Sequence, residues 1–205
     1  MGRSKGYERE TLVTKAIEVF HRLGFKGAST QILVEALGVN RNSVYSEFGS
    51  KEGLFSAALE QYEKLAVSQI FGPLESSGAN LDDIESLFSA FIENADAARG
   101  LGCLLCNTAA ELGGAEPNLQ PRIALYFDRL NNAFSNALTE SVRVGQVPQD
   151  TDISTESRFL VAACLGIFIT VRSGIPTPAA HAAAKGALRH LELLRHRSLV
   201  LRSQI

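Results

Sequence analysis

Residues 29–51, STQILVEALGVNRNSVYSEFGSK, decide the fold of this 205-residue chain. Two short runs with the apolar spacing of helices flank the turn Leu37-Gly38-Val39-Asn40. A glycine in such a turn supplies the left-handed backbone that a helix-turn-helix needs. Ser29 and Asn40 are residue types that cap helix N-termini, and each precedes one of the two runs. The stretch therefore predicts a helix-turn-helix.

The second helix of this pair begins with polar side chains, as a recognition helix does when its N-terminus enters the major groove. Arg41 can pair with guanine, Asn42 with adenine and Ser43 with either base, whereas Tyr45 and Lys51 suit phosphate oxygens. Ser29, Thr30 and Gln31 can bind phosphates from the start of the first helix. The predicted DNA-binding set is Ser29, Thr30, Gln31, Asn40, Arg41, Asn42, Ser43, Tyr45 and Lys51.

The run GVNRNSVYSEFGSKEGLF, residues 38–55, resembles the signature of the TetR family of bacterial repressors in its turn, its aromatic residues and its Ser-Lys-Glu. The likeness covers about residues 8–60, and two positions depart from the family pattern. Asn40 stands where serine is usual, which still caps a helix. Asn42 stands where glycine or alanine is common, so the preferred base can differ. Glu47 is acidic in the recognition helix and either accepts from cytosine or faces solvent.

The rest of the chain shows helical periodicity and almost no strand pattern, in a layout of about nine helices. We predict an all-α fold with an N-terminal three-helix DNA-binding domain over residues 1–53. A helical-bundle domain for ligand binding and dimerisation would follow over residues 54–205. The resemblance implies a homodimer that binds double-stranded DNA at a palindromic operator and is released by an inducer.

Composition agrees with a DNA-binding N-terminus, although the net charge of the chain is −2. Residues 1–51 carry eight Lys/Arg and five Asp/Glu, a balance of 8 − 5 = +3, and the remaining residues carry 12 − 17 = −5. The basic end is the candidate surface for phosphates. No apolar signal-peptide core precedes it, and three cysteines do not predict a disulfide framework. We expect a cytoplasmic protein.

The longest apolar run, residues 159–171, has thirteen residues and is shorter than the roughly 20 that span a bilayer. No membrane partner is predicted. A helix that is apolar on all faces must be covered on all faces. We expect the last two helices, about residues 155–173 and 178–197, to form a four-helix interface with a second copy. The alternative is that one chain covers both faces of the run as an intramolecular core.

The segment Gly102-Cys103-Leu104-Leu105-Cys106-Asn107-Thr108 resembles one found in a subgroup of the family, some of whose members respond to electrophiles or oxidants through a cysteine. Cys103 and Cys106 share a helix face, and the helix N-terminus favours a thiolate at Cys103. Both thiols can instead be core packing, as we expect for Cys164. The predicted ligand or sensor set is Cys103, Cys106, Asn107, Glu111, Tyr126 and Phe168, with Thr108 and Arg129 as further polar groups to test.

Other function classes find little support in the sequence. It has no phosphate loop, HExxH motif, nucleophile elbow or dinucleotide fingerprint, so we predict neither an enzyme nor a cofactor or metal. The main alternative is a helical thiol-redox protein that uses Cys103 and Cys106, which have the spacing of a redox motif but lack its βαβ context. A purely structural helical protein would bind no DNA.

Overall fold

In a computed structural model the chain is all-helical over the described residues, 8–113 and 116–202. The two ends of the predicted domains, residues 1 and 205, lie outside that part. Ten α-helices are present there, with a π-helical turn, Glu63–Val67, between α4 and α5 and a 3₁₀ turn, Pro117–Leu119, before α8. The α-helices are α1 Arg9–Gly27, α2 Thr30–Leu37, α3 Arg41–Phe48, α4 Lys51–Tyr62, α5 Ser68–Glu75, α6 Leu81–Asn94, α7 Leu104–Leu112, α8 Gln120–Arg143, α9 Ile153–Arg172 and α10 Pro178–Arg202. Because α4, the π turn and α5 form one continuous helix, the described part contains the nine helices that the sequence predicts.

The first three helices pack around a small aromatic core that α4 completes. The ring of Phe20 contacts those of Phe25 and Phe55, and Leu33 and Val44 bury the inner faces of α2 and α3. The apolar stripe of α1 creates this core, because residues spaced three or four apart share one face of a helix. α4 therefore belongs to both the N-terminal unit and the bundle behind it.

The continuous helix formed by α4 and α5 differs from the prediction that Gly72-Pro73 ends it near residue 71. It runs to Glu75, and its irregularity is the π turn at Glu63–Val67. Pro73 lies in the last turn, so the kink that a proline causes leaves only two helical residues beyond it. The side-chain amide of Asn136 also donates to the Leu74 and Ser76 carbonyls, which satisfies the end of the helix.

The remaining helices form the bundle. α8 packs on α5 and α9, α10 packs on α6 and α9, and the short α7 contacts α1 and α9. In the centre the Phe134 ring stacks on Phe88 and meets Phe71 edge to face, and the Tyr126 side chain is fully buried beside α7. This arrangement places the cysteine-bearing α7 directly between the N-terminal unit and the bundle.

One face of α9 remains uncovered. By length and composition alone, the whole of α9 is long and apolar enough to cross a membrane. The shortness of the run 159–171 was therefore not a sufficient reason to exclude a membrane span. Leu160, Cys164 and Ile167 are buried against the neighbouring helices, whereas Phe159 and Ile169 are 43% and 46% exposed. The prediction that both faces need a cover is therefore met on one side only within this chain.

Candidate functional site

The predicted helix-turn-helix has the local geometry that its sequence indicates. The Ser29 hydroxyl accepts from the Ile32 N–H at 3.3 Å, and the Asn40 side-chain oxygen accepts from the Ser43 N–H at 2.9 Å. Gly38 has φ of 69°, a left-handed conformation, and ends α2. Both caps and the glycine turn are thus confirmed, and they fix the start of α3 relative to α2.

The N-terminus of α3 presents polar side chains to solvent. Arg41 and Asn42 are exposed and Ser43 is half-buried. The Arg41 guanidinium donates to the Tyr45 hydroxyl at 3.4 Å and lies over its ring at 5.2 Å. Hydrogen bonds with Arg41 and with Thr30 of α2 lower the pKa of Tyr45. Residues predicted from two separate helices therefore meet in one exposed patch.

The side chains that border this patch have protein partners. The Lys51 ammonium lies 4.4 Å from the centre of the Phe25 ring, a cation–π contact at the start of α4. The Gln31 side chain donates to Glu35 along α2 at 3.3 Å. Glu47 forms an ion pair with Arg9 of α1 at 3.5 Å, and its side chain is only 10% exposed. Of the two roles predicted for Glu47, the one in which it faces solvent is therefore wrong.

A polar junction joins α1 to the bundle. His21 Nε2 lies 3.0 Å from the Gly102 carbonyl, and since a carbonyl only accepts, this nitrogen carries the proton. The Arg172 guanidinium at the end of α9 donates to the carbonyls of His21, at 2.6 Å, and Gly100, at 2.9 Å. Burial lowers the pKa of His21 below its ordinary value of 6.5, and the nearby charge of Arg172 acts in the same direction. No spacing in the sequence predicts this junction, because its members lie far apart in the chain.

Glu111 makes a second link between α7 and α1. Its carboxylate accepts from the backbone N–H groups of Phe25, at 2.9 Å, and Lys26, at 2.7 Å. These amides follow Gly24, where α1 bends with φ of 70°. A Cβ on Gly24 would lie 2.5 Å from a Glu111 oxygen, so only glycine allows this approach. The predicted ligand residue Glu111 thus holds the end of α1.

The two predicted sensor cysteines lie together at the start of α7. Cys103 is the N-cap residue and Cys106 is in the first turn, and both thiols contact the Tyr126 hydroxyl, at 3.3 and 3.5 Å. Burial raises the pKa of Cys103, but hydrogen bonds from Cys106, Tyr126 and the backbone N–H groups of the turn together lower it. The hydrogen bond with Cys103 and burial raise the pKa of Cys106. The surroundings thus lower the pKa of Cys103 and raise that of Cys106.

A cavity of about 540 Å³ lies between α5, α6 and α9. Its walls are mostly apolar and include the rings of Phe91 and Phe168, which contact each other edge to face. Asp83 is its one charged lining residue among those described, and Gly102 forms part of its wall. Of the predicted ligand set, only Phe168 lines this cavity.

The other polar residues of the ligand prediction bond to the chain itself, except that the buried Asn107 Oδ1 accepts from no group among the described residues. The Asn107 amide donates to the Leu101 carbonyl at 2.7 Å, and the Thr108 hydroxyl donates to the Leu104 carbonyl at 2.8 Å. Arg129 forms a bidentate ion pair with Glu75 and borders a second, more open hollow of about 420 Å³. Asn107, Thr108 and Arg129 therefore make contacts within the bundle and do not line the 540 Å³ cavity.

Comparison with known families agrees with this geometry. Residues 12–58 match the family described as bacterial regulatory proteins, tetR family. Residues 80–185, more than half of the chain, match the family described as tetracyclin repressor-like, C-terminal domain. The two matches together cover the helix-turn-helix and most of the bundle.

Individual relatives and structures are similar over most of the chain. The uncharacterized HTH-type transcriptional regulator YezE of Bacillus subtilis is 32% identical over 166 residues, which cover 78% of this chain and 84% of YezE. The HTH-type transcriptional repressor ComR of Escherichia coli is 26% identical, over 84% of this chain and 83% of ComR. A cysteine mutant of the regulator CifR, in complex with 26-base-pair operator DNA, has a similar fold with a TM-score of 0.77 and 24% identity, over 92% of this chain and 98% of that one.

Proposed function

This chain belongs to the TetR family of DNA-binding transcriptional regulators, and from that premise we propose that it is a homodimeric repressor which a ligand or a thiol reaction releases from its operator. The exposed polar N-terminus of α3, held by two caps and a glycine turn, carries the proposal. The repressor role is supported by the similarity to ComR. The relatives of this chain are regulators, not enzymes. A regulator of chromosomal genes would act in the cytoplasm.

We assign base contacts to Arg41, Asn42 and Ser43 and phosphate contacts to Tyr45 and Lys51. Arg41 and Asn42 project from the first turn of α3, the part of a recognition helix that meets base edges. The Arg41–Tyr45 contact pre-orients the guanidinium, which reduces the entropy lost when it pairs with guanine. The polar side chains at the start of α2, Ser29, Thr30 and Gln31, would border the same phosphates. The operator complex of the similarly folded CifR is consistent with this use of the domain.

The uncovered faces of α9 and α10 support a dimer. Phe159, Ala162, Gly166 and Ile169 form an exposed stripe at helical spacing on α9. A Cβ added to Gly166, or to Gly186 on α10, would point into open space, with no atom of another helix within 4 Å. Glycine inside a helix costs about 1 kcal/mol relative to alanine, so both glycines need a reason outside the chain. Close approach of partner helices supplies one, and the dimer would present two recognition helices to successive major grooves.

Regulation would act through the links between α7, α9 and α1. The division into a DNA-binding domain, residues 1–53, and a regulatory domain, residues 54–205, places these links across the boundary. A ligand in the 540 Å³ cavity would contact Phe168 and Gly102, which lie on α9 and beside α7. Such a ligand would favour a state in which Arg172 and Glu111 hold α1 differently, and the spacing of the two recognition helices would no longer fit the operator. This is a difference in affinity between two conformations.

The Gly-Cys-Leu-Leu subgroup remains part of the proposal. The CifR protein in complex with operator DNA is a mutant with three substituted cysteines. Here Cys103 and Cys106 contact Tyr126 inside the bundle, while Gly102, next to Cys103, bonds His21 of α1. A reaction at Cys103 would therefore lie one residue from Gly102, whose carbonyl accepts from His21 of the DNA-binding unit.

Selection from a randomised duplex library, read by sequencing, tests the proposal. The wild-type protein should enrich an inverted repeat, and Tyr45→Ala should enrich it weakly or not at all. Lys64→Ala, which removes an exposed positive charge beyond α4, is the matched control and should enrich the same repeat. Enrichment of no sequence at any salt concentration would overturn the proposed function.

A further inference from the structure

We propose that Cys103 and Cys106 form a reversible disulfide within α7, with Cys103 as the thiol that a peroxide attacks and Cys106 as the thiol that resolves the product. This goes beyond a single reactive cysteine, because it assigns a product and a role to each sulfur. The inference rests on the proposed regulatory function for its consequence, but its chemistry can be measured without DNA.

The geometry of the pair suits a disulfide. Cys103 is the N-cap of α7 with an extended backbone, φ −104° and ψ 126°, and Cys106 is the third helical residue. Residues three apart at a helix start have Cβ atoms about 5–6 Å apart, and a disulfide needs about 3.5–4.5 Å. A change in the backbone dihedrals of the N-cap residue closes that gap, and rotation about χ1 of both residues then brings the two sulfurs together. Both sulfurs already meet at one atom, the Tyr126 hydroxyl oxygen.

The surroundings assign the two roles. Cys103 occupies the N-cap position of α7, where the free N–H donors and the positive end of the helix dipole favour a thiolate, although its side chain accepts no capping hydrogen bond. These donors, with Tyr126 and Cys106, lower the pKa of Cys103 despite the opposing effect of burial, whereas the pKa of Cys106 is raised. Cys103 is thus the nucleophile, and Cys106 keeps the proton that the second step needs.

Cys164 differs from the pair in its surroundings. It is fully buried in α9, and burial raises the pKa of its thiol. Unlike Cys103 and Cys106, Cys164 does not contact the Tyr126 hydroxyl, so no second sulfur is held beside it by that group. It therefore serves as the internal control.

A small oxidant can come close to the pair through the cavity. Cys103 and Cys106 are each 4% exposed, so reaction from bulk solvent is restricted. Gly102 lines the 540 Å³ cavity, and the next residue along the chain is Cys103. Hydrogen peroxide, with two heavy atoms, fits this space.

The reaction balances with hydrogen peroxide as the oxidant. The Cys103 thiolate attacks one peroxide oxygen, an S–O bond forms, the O–O bond breaks, and the hydroxide that leaves takes up a proton. The Cys106 sulfur then attacks the Cys103 sulfur, the S–S bond forms, the S–O bond breaks, and the hydroxyl leaves as water with the Cys106 proton. Two thiols and one peroxide give one disulfide and two waters.

The disulfide would alter the contact with α1. Rotation of the sulfurs toward each other removes both from the Tyr126 hydroxyl, which is fully buried and would lose these partners. Relief of that loss requires the N-cap residue to move, and the adjoining Gly102 carbonyl holds His21. Oxidation would thus displace α1 at the junction and lower the affinity for the operator.

Peptide mass spectrometry tests the chemistry. Trypsin releases residues 100–122 as one peptide that contains Cys103 and Cys106, while Cys164 falls in a separate peptide. After treatment of the folded wild-type protein with hydrogen peroxide and alkylation in denaturant, the 100–122 peptide should be two hydrogens lighter and carry no alkyl group. Dithiothreitol before alkylation should restore two alkyl groups.

Variants that each replace one cysteine complete the test. Cys103→Ser and Cys106→Ser should each abolish the lighter peptide, and Cys164→Ala should leave it unchanged. Only proteins that form the disulfide should lose operator binding at least tenfold with peroxide and regain it with dithiothreitol. A sulfinic acid on Cys103 as the main product, an intermolecular disulfide, or unreacted thiols would each overturn the inference. A protein that forms the disulfide but selects no DNA sequence would refute the proposed function and leave the disulfide standing.

Discussion

Replacing Glu111 with alanine removes the link by which α7 holds the end of α1. Two backbone N–H groups, on Phe25 and Lys26, donate to this carboxylate at 2.9 and 2.7 Å. Hydrogen bonds to a charged acceptor are worth about 1.5–3 kcal/mol each when buried. Lys26 is exposed and Phe25 is half-buried, so water replaces part of each bond. We therefore expect a loss of about 1–2 kcal/mol in the free energy of unfolding, or roughly 2–8 °C in Tm for a chain of this size.

Urea unfolding and amide hydrogen exchange measure this effect. The exchange of the Phe25 and Lys26 amides should accelerate in Glu111→Ala because their acceptor is gone, while amides in α8 keep their protection. Glu93→Ala removes an exposed carboxylate on α6 and is the matched control, with an expected change of less than about 0.5 kcal/mol. Equal stability of the two variants, with unchanged exchange at Phe25 and Lys26, would refute the reasoning.

Three further perturbations address the DNA interface, the dimer and the junction. In anisotropy titrations, Arg41→Ala should weaken operator binding by about 1–3 kcal/mol and relax the preference at one base pair. Lys51→Ala should weaken binding to all DNA sequences alike and reduce the slope of log affinity against log salt concentration by about 1. An unchanged preferred site in Arg41→Ala would remove Arg41 from base recognition. Ile169→Glu should turn the dimer into a monomer in sedimentation experiments, because it would bury an unpaired charge in the dimer interface. The control Leu125→Glu, on the exposed surface of α8, should remain dimeric. If both variants were dimeric, the interface would lie elsewhere. Burial holds the pKa of His21 below 6.5, so as the pH falls the unfolded chain takes up a proton before the folded one. The free energy of unfolding should therefore decline between pH 7 and 5 in urea titrations, and His21→Gln should flatten this decline. An equally steep decline in His21→Gln would show that His21 is not its cause.

The local features of the N-terminal unit could be predicted from the sequence because they depend on neighbours in the chain. The caps at Ser29 and Asn40 and the left-handed turn at Gly38 follow from residue type and spacing, and the structure confirms all three. The pairing of Cys103 and Cys106 on one face of α7 follows from helical spacing in the same way. The roles assigned to the exposed side chains of α3 remain predictions.

The connections between elements could not be predicted, because they depend on packing between distant segments. The contact of Arg172 with the His21 carbonyl spans 151 positions in the chain, and no periodicity encodes it. Glu111 looked like a polar group for a ligand because its partner amides belong to the bent end of α1, whose geometry depends on Gly24. The continuation of α5 past Pro73 likewise depends on Asn136, a residue of another helix.

The most direct test of the account compares two duplexes that contain the selected inverted repeat. In the second duplex, five base pairs inserted at the centre turn one half-site to the opposite face of the DNA, about half a helical turn away. A dimer with two recognition helices at fixed spacing should bind this duplex at least about a hundredfold more weakly, since the loss of one half-site exceeds about 2.7 kcal/mol. Equal affinity for both duplexes would mean that each chain binds DNA alone, and it would contradict the proposed dimeric operator recognition.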